Sequence, residues 1–382
     1  HLINNCKGLL VGNIFLSDPR GVKIGLDLLE TQLKEQILLD GGHFERSPMY
    51  HLIVMEDLIA ISFALLERDG VLPGFLSGVL EKMGGFLEGI ISPCGIPLLN
   101  DTSCEVADSP QRVLEALPLV LPGYQSPRFV SGGVFYTESG LFIYQSPRLW
   151  FFFDVGPIGP DYQLGHAHND MLSICLAFDG EPILTDSGVY EYRAGAWRDY
   201  FRSTAAHNTI TVDGIDQNET WKSFRVGRRG YPSEVNYEPP ARISAAHTGY
   251  KHIGVIHRRE VELLENEQAV CVTDLIENRG APREFESNLH FDPSIRLCTE
   301  AALTEESSEQ VRSFEFETPK GSRFEVKVEG VGVRLSCGHS WYAPEFGLKQ
   351  ERLNLKIKGR ALPGSTRCGF RIGRVRPLLS TT

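Results

Sequence analysis

In GHAHNDMLSICLAF (165–178) two histidines stand two residues apart, and an apolar run follows in which Leu172, Ile174, Leu176 and Phe178 alternate with small residues. Alternation with a period of two marks a β-strand, because successive side chains leave a strand on opposite faces. Read as one strand-like segment, the stretch also puts His166 and His168 on a common face, since positions i and i+2 point the same way. Such a pair is either polar decoration at a strand start or part of a site. The spacing alone does not choose between them.

The same period continues downstream. In FEVKVEG (324–330) Phe324, Val326 and Val328 alternate with charge. Turn signals recur between short runs, in AFDGEP, TVDGID, IENRGAP and TPKGS, as expected for hairpins. Residues 121–382 therefore read as antiparallel sheets packed face to face.

Upstream the period is different. Val22, Leu26, Leu29, Leu33 and Ile37 recur every three or four positions, which is one face of a helix. Ser47 suits an N-cap and Pro48 the first helical position. The run after them, MYHLIVMEDLIAISFALLER (49–68), is apolar on more than one side, so this helix should be buried between neighbours. FLSGVLEKMGGFLEGI (75–90) reads as a further helix. Short Gly-rich links such as LLDGGH join these pieces, so residues 1–120 read as antiparallel helix pairs in a bundle or toroid.

The chain has 382 residues, 42% of them hydrophobic and 23% charged, and a net charge of −11. That is long enough for two cores, and the negative balance argues against a nucleic-acid partner or wholesale coating of an anionic membrane. A local basic cleft for a polyanion remains compatible with it, and Arg is clustered at 193, 198, 202, 225, 228 and 229. No apolar run reaches the roughly 18–20 residues of a membrane span. The eight cysteines are scattered with no CxxC pair, which fits neither a zinc ribbon nor a dense disulfide framework. The chain opens at HLINNCKGLL, inside a helical pattern, and is read as the remainder of a longer protein.

Four segments stand in order: DGGHFERSPMYH (40–51), GHAHNDMLS (165–173), LTDSGVYEY (184–192) and FRSTAAHNTITVDG (201–214). The set resembles the heparinase II/III-like polysaccharide lyases, together with related exo-acting alginate lyases. The resemblance is strongest over about 134–230, and WYAPEFG (341–347) still fits it. It implies an α+β multidomain chain: a partial (α/α) toroid, then an antiparallel β-sandwich.

The resemblance also implies a site. Tyr50 matches the catalytic tyrosine, His166 the cleft histidine, and His168, Asp186 and His207 a zinc site of a structural kind. Two imidazoles and a carboxylate are suitable zinc ligands. The family's catalytic Asn immediately precedes a His; His1 aligns with that His, so the Asn would stand just before residue 1, and Asn4 and Asn5 lie one turn too far on. Glu45 and Arg46 flank the tyrosine, and Tyr190 and Arg202 sit near the metal motif, as candidates for binding sugar. Tyr192 is placed beside them, and Trp197 for stacking on a ring.

The implied reaction is β-elimination on a uronate glycan. A base removes the C5 proton, an acid protonates the leaving oxygen at C4, and donors neutralise the carboxylate so that the developing dianion is stabilised. Depending on the C5 stereochemistry, Tyr50 acts as acid alone or as both base and acid, with His166 as the partner base. The position of Tyr50 in the first turn of its helix leads one to expect a phenol tuned toward phenolate by the helix dipole. The two rings should face one another across a groove wide enough for one sugar, with His1 on the same groove. The partner is an acidic polysaccharide or oligosaccharide, and the expected compartment is the periplasm or envelope of a bacterium, with the cytoplasm as the alternative. The rival readings are a non-catalytic glycan-binding or exopolysaccharide-assembly protein on the same fold, and a glycoside hydrolase, which needs paired carboxylates; the helical part offers only Glu45 and Asp57 for that.

Overall fold

The structure, a computed structural model, describes residues 1–125, 131–298 and 313–375. Five helices come first: α1 (Leu2–Phe15), α2 (Pro19–Gln36), α3 (Pro48–Asp69), α4 (Gly74–Ile90) and α5 (Pro110–Val120). Three of them start alike. Asp18, Ser47 and Ser109 cap the helix with a side-chain oxygen that accepts a backbone N–H, and a proline follows each cap. The cap satisfies one orphan donor and the proline's fixed φ suits the first turn. α3 is the central element. Met55, Leu58, Ile61 and Leu65 are fully buried in it, and it ends at Gly70 in the left-handed region, with φ +70°. Among the described residues α3 is also long and apolar enough to cross a bilayer, despite Glu56 and Asp57. In this fold 61% of its most apolar 18-residue stretch is buried against neighbours.

The first sheet has five antiparallel strands in sequence order: β1 (Gly132–Tyr136), β2 (Leu141–Gln145), β3 (Leu149–Asp154), β4 (Ile174–Phe178) and β5 (Glu181–Leu184). Its two faces serve two cores. Phe142, Phe151, Phe153, Ile174 and Leu176 pack toward the other sheets. Leu141, Ile143, Trp150, Phe152, Cys175 and Ala177 pack among the helices. The small alternating residues of ICLAF are thus the ones that meet the helical half. The Asp179–Gly180 turn joins β4 to β5 with φ of +49° and +78°, the pattern of a type I′ hairpin. An eight-stranded antiparallel sheet and a four-stranded one complete the sandwich.

Two expectations need correction. The histidine pair does not lie on a strand: residues 163–173 form an irregular loop, and β4 begins only at Ile174. Asn169, Asp170 and Ser173 are buried polar residues, and the side chains of Asn169 and Ser173 make hydrogen bonds with other segments that a two-faced apolar strand cannot supply. The loop closes with Leu172 at φ +62°. Second, the sandwich half contains a short helix, α6 (Ala196–Arg202). It carries Arg198, Phe201 and Arg202 inward.

The sandwich also buries several neutral imidazoles. His247 donates or accepts at 3.1 Å with His257, and His290 sits between Ser340 and the Ala205 carbonyl. Burial holds His247 and His290 well below the ordinary imidazole value of 6.5, and holds His51, inside α3, down to about 4. Unfolding restores the ordinary value, so below pH 6.5 the unfolded chain takes up protons that the fold excludes. Stability is therefore full above about pH 6.5 and falls as the pH drops toward 4, by up to about 1.4 kcal/mol per pH unit for each imidazole kept neutral. Urea midpoints measured between pH 7.5 and 4.5 check this; a flat profile would contradict it.

Candidate active site

Tyr50 reaches the cleft because Ser47 starts α3 three residues earlier. The Ser47 Oγ accepts the Tyr50 N–H at 3.4 Å and donates to the Asp101 carbonyl at 2.9 Å. The phenol ring stacks on His166 with centroids 4.0 Å apart and planes tilted by 33°. Its hydroxyl lies 3.1 Å from that of Tyr192. The Nε2 of His166 is 3.6 Å from a Glu45 carboxylate oxygen. A cleft of about 540 Å³ opens beside this group, lined by His1, Glu45, Tyr50, Asp57, Tyr162 and His166 among others. At 4.0 Å the two rings are in contact, so no sugar fits between them, contrary to expectation.

The electrostatics correct a second expectation. Burial raises the Tyr50 hydroxyl above the ordinary phenol value, and the nearby Asp101 and Glu45 charges add to this, against the lowering by the Tyr192 hydrogen bond and by Arg198. Burial likewise raises Glu45. The resting site therefore holds a proton-loaded phenol.

Beneath the cleft lies Asp101, wholly buried. Its Oδ2 meets His166 Nδ1 at 2.9 Å and its Oδ1 meets His168 Nε2 at 2.9 Å. Arg198, also wholly buried, grips both oxygens. Burial alone would raise this carboxyl, but the two imidazole hydrogen bonds and the guanidinium outweigh it and hold it far below the carboxylate range.

His168, Asp186 and His207 are brought together. The His168 and His207 rings lie 5.4 Å apart, and His207 Nδ1 meets Asp186 Oδ2 at 2.8 Å. Among the described residues no three His, Cys, Asp or Glu side chains stand as they are in a metal-holding arrangement. The donor chemistry nonetheless fits a cation. His168 Nδ1, His207 Nε2 and both Asp170 carboxylate oxygens are buried without a hydrogen-bond partner, a condition native proteins rarely leave unexplained. Burial lowers His168 to about 4, so its imidazole is neutral, the form a cation would require. Asp186 accepts the Gly188 N–H at 3.2 Å; Gly188 itself has φ +72°, and a Cβ there would stand 2.2 Å from the Ala343 carbonyl oxygen.

Other expected site residues fall elsewhere. Arg46 donates to the carbonyls of Phe44, Glu138 and Ser139, and so ties the helical half to the β1–β2 turn. Arg202 is buried and donates to the carbonyls of Ala167, Lys222, Ser223 and Arg225. Neither guanidinium is free for a sugar. Tyr190 packs with Trp197 and Phe201 under Lys349, away from the cleft. Tyr192, two residues on, is the one at Tyr50. Asp101 and Phe224 carry no signal in the sequence, and Arg198 stands there only as one of a cluster of arginines, yet all three touch the central group; Phe224 lies beside His166 and Tyr192.

Comparison with known proteins bears on the family and the fold. Residues 4–122 match the family described as heparinase II/III N-terminus, and residues 131–372 the one described as heparinase II/III-like, C-terminal. A heparin-sulfate lyase of Bacteroides stercoris is 22% identical over 389 residues, covering 94% of this chain and 54% of that protein. A heparinase III crystal structure superposes with a TM-score of 0.79 at 16% identity, covering 100% of this chain and 62% of that one. The heparan sulfate lyase of Pedobacter heparinus does so at 0.76 and 15%, covering 97% and 59%. The chain spans about half the length of the curated relatives it matches. With both family matches laid end to end over nearly all of its residues, and with a fold that follows the solved heparinase III structures, the chain belongs to the heparinase II/III family.

Proposed function

We propose that the protein is a polysaccharide lyase that cleaves uronic-acid-containing glycans by β-elimination. The observation that carries this is the stacked Tyr50–His166 pair on the cleft edge, with its phenol proton-loaded and its imidazole backed by a buried carboxylate. His166 removes the C5 proton through Nε2, the nitrogen on the side away from Asp101. Tyr50 protonates the O4 leaving group, and Tyr192 positions its hydroxyl. His1, on the cleft wall, contributes to neutralising the uronate carboxylate. Among the described residues the lining holds Glu35, Glu45 and Asp57 but no Lys or Arg, which favours a uronate glycan of low sulfation over a densely sulfated one.

A zinc ion is part of the same reading. His168, Asp186 and His207 would hold it, and its chemistry would be to fix the loop under the cleft by tying together residues distant in sequence. Elimination needs no step through it.

The test is the absorbance near the ultraviolet edge that an unsaturated uronate product creates. The protein as the cell makes it, offered unsulfated heparosan, hyaluronan, alginate and heparin, should raise it with an unsulfated or low-sulfate uronate glycan more than with heparin. Release of reducing ends without absorbance would point to hydrolysis, and binding without either to a glycan-binding protein. Metal analysis of the same sample should give near-stoichiometric zinc; its absence after purification without chelator would remove the metal from the proposal.

A further inference from the structure

We propose that Asp101 is a positioning residue that sets opposite tautomers on the two histidines of the 166–168 pair, one for the cleft and one for the buried cluster beneath it. The inference rests on the lyase reading above for its consequence, but its geometry stands apart from it.

Asp101 comes from the segment between α4 and α5, whereas both histidines come from the sandwich half. Its carboxylate is fully enclosed and gripped by Arg198. An ionised carboxylate only accepts hydrogen bonds, so each imidazole nitrogen facing it must carry a proton. For His166 that nitrogen is Nδ1, and for His168 it is Nε2, both at 2.9 Å. A neutral His166 is then left with its lone pair on Nε2, the atom 3.6 Å from Glu45 at the cleft. His168 is left with its lone pair on Nδ1, which is buried and has no partner. The alternative tautomers would turn a lone pair toward a buried carboxylate at hydrogen-bond distance, a repulsive contact with no solvent to relieve it.

The backbone around Asp101 holds the same parts in place. Its N–H donates to the His166 carbonyl at 3.1 Å, and its own carbonyl accepts from Ser47 Oγ at 2.9 Å. The neighbouring Asn100 accepts the His168 N–H at 2.8 Å through its side chain. One short segment thus fixes the start of α3, on which Tyr50 sits, and both imidazoles. A carboxylate that orients a histidine from behind is a recurrent device in both proton-transfer and metal sites.

The experiment is ¹⁵N-histidine NMR of the chelator-treated wild-type protein, at a pH where the imidazoles are neutral, with the His166 signal assigned by its loss in His166→Gln. The expected result is a protonated Nδ1 on His166. A protonated Nε2 with bare Nδ1 on His166 would overturn the proposal. The second arm is Asp101→Asn, whose amide presents a donor where one histidine needs an acceptor. It should lower kcat by about 10–100-fold, the loss typical of an orienting partner, with KM within about threefold. A folded Asp101→Asn protein with kcat within twofold of wild type would overturn the proposal as well; if that variant does not fold, the wild-type tautomer decides. The two readings fail separately: the stated tautomer with no glycan cleaved defeats the lyase reading alone, whereas glycan cleavage with the reversed tautomer defeats the positioning role alone.

Discussion

Tyr50→Phe should lower the rate of glycan cleavage by about 10²–10⁴-fold, the usual worth of a positioned proton-transfer group, with little change in KM. The substitution keeps the ring that stacks on His166 at 4.0 Å and removes only the hydroxyl. That hydroxyl is the part of the side chain aimed at Tyr192, and burial keeps it protonated in the resting site. An interaction needed only in the transition state appears in kcat and not in substrate binding. Tyr192→Phe is the companion, since it removes the hydrogen bond to Tyr50 while leaving the proton donor in place; its loss should be the smaller of the two. A Tyr50→Phe protein retaining a third or more of wild-type turnover would show that the leaving group takes its proton from elsewhere, and Glu45, half-buried and raised at the same edge, would be the next group to examine.

The fold is legible where local chemistry and burial agree. Ser47–Pro48 names a helix start, and the run after it is apolar all round because α3 is packed on more than one side. ICLAF alternates because β4 is a shared layer, with large residues toward the sandwich and small ones toward the helices. The same alternation misled the reading of His166 and His168, because an i, i+2 spacing looks alike in a strand and in a loop. They share a partner, Asp101, without sharing a strand. Asp101 itself was invisible for a simple reason: it lies 65, 67 and 97 residues from His166, His168 and Arg198, in a segment with no periodic pattern. Arginines posed the same difficulty. Nothing local distinguishes a guanidinium facing a cleft from one spent on carbonyls, as Arg46 and Arg202 are, or on a buried carboxylate, as Arg198 is. Tyr190 and Tyr192 differ only in which neighbours the irregular stretch after Gly188 presents to them.

A buried arginine far from the reacting edge should matter as much to the fold as Tyr50 does to the chemistry. Arg259→Met is expected to destabilise the protein by about 3–5 kcal/mol, the cost of leaving a buried charge without its partner. Arg259 is wholly buried on the strand Val255–Leu264. It donates to both Asp274 oxygens at 2.8 and 2.9 Å, and to the Leu172 and Asn208 carbonyls at 2.7 and 2.6 Å. Asp274 is held down to about 2 by this guanidinium and by His257, against the burial that would raise it. Methionine fills much of the arginine's volume, so the loss reports charge and hydrogen bonds more than a cavity. Leu172 closes the loop that carries His166 and His168, and Asn208 follows His207, so the same variant should loosen the ground beneath the cleft. The control is the next residue back. Arg258 points to the other side of the strand, where its partner Glu234 is mostly exposed, and Arg258→Met should cost less than about 1 kcal/mol. Urea unfolding of the two variants decides the matter. Equal midpoints would mean that the Arg259–Asp274 pair is not a strut of the fold, and that the loop bearing the histidines is held by its other hydrogen bonds alone.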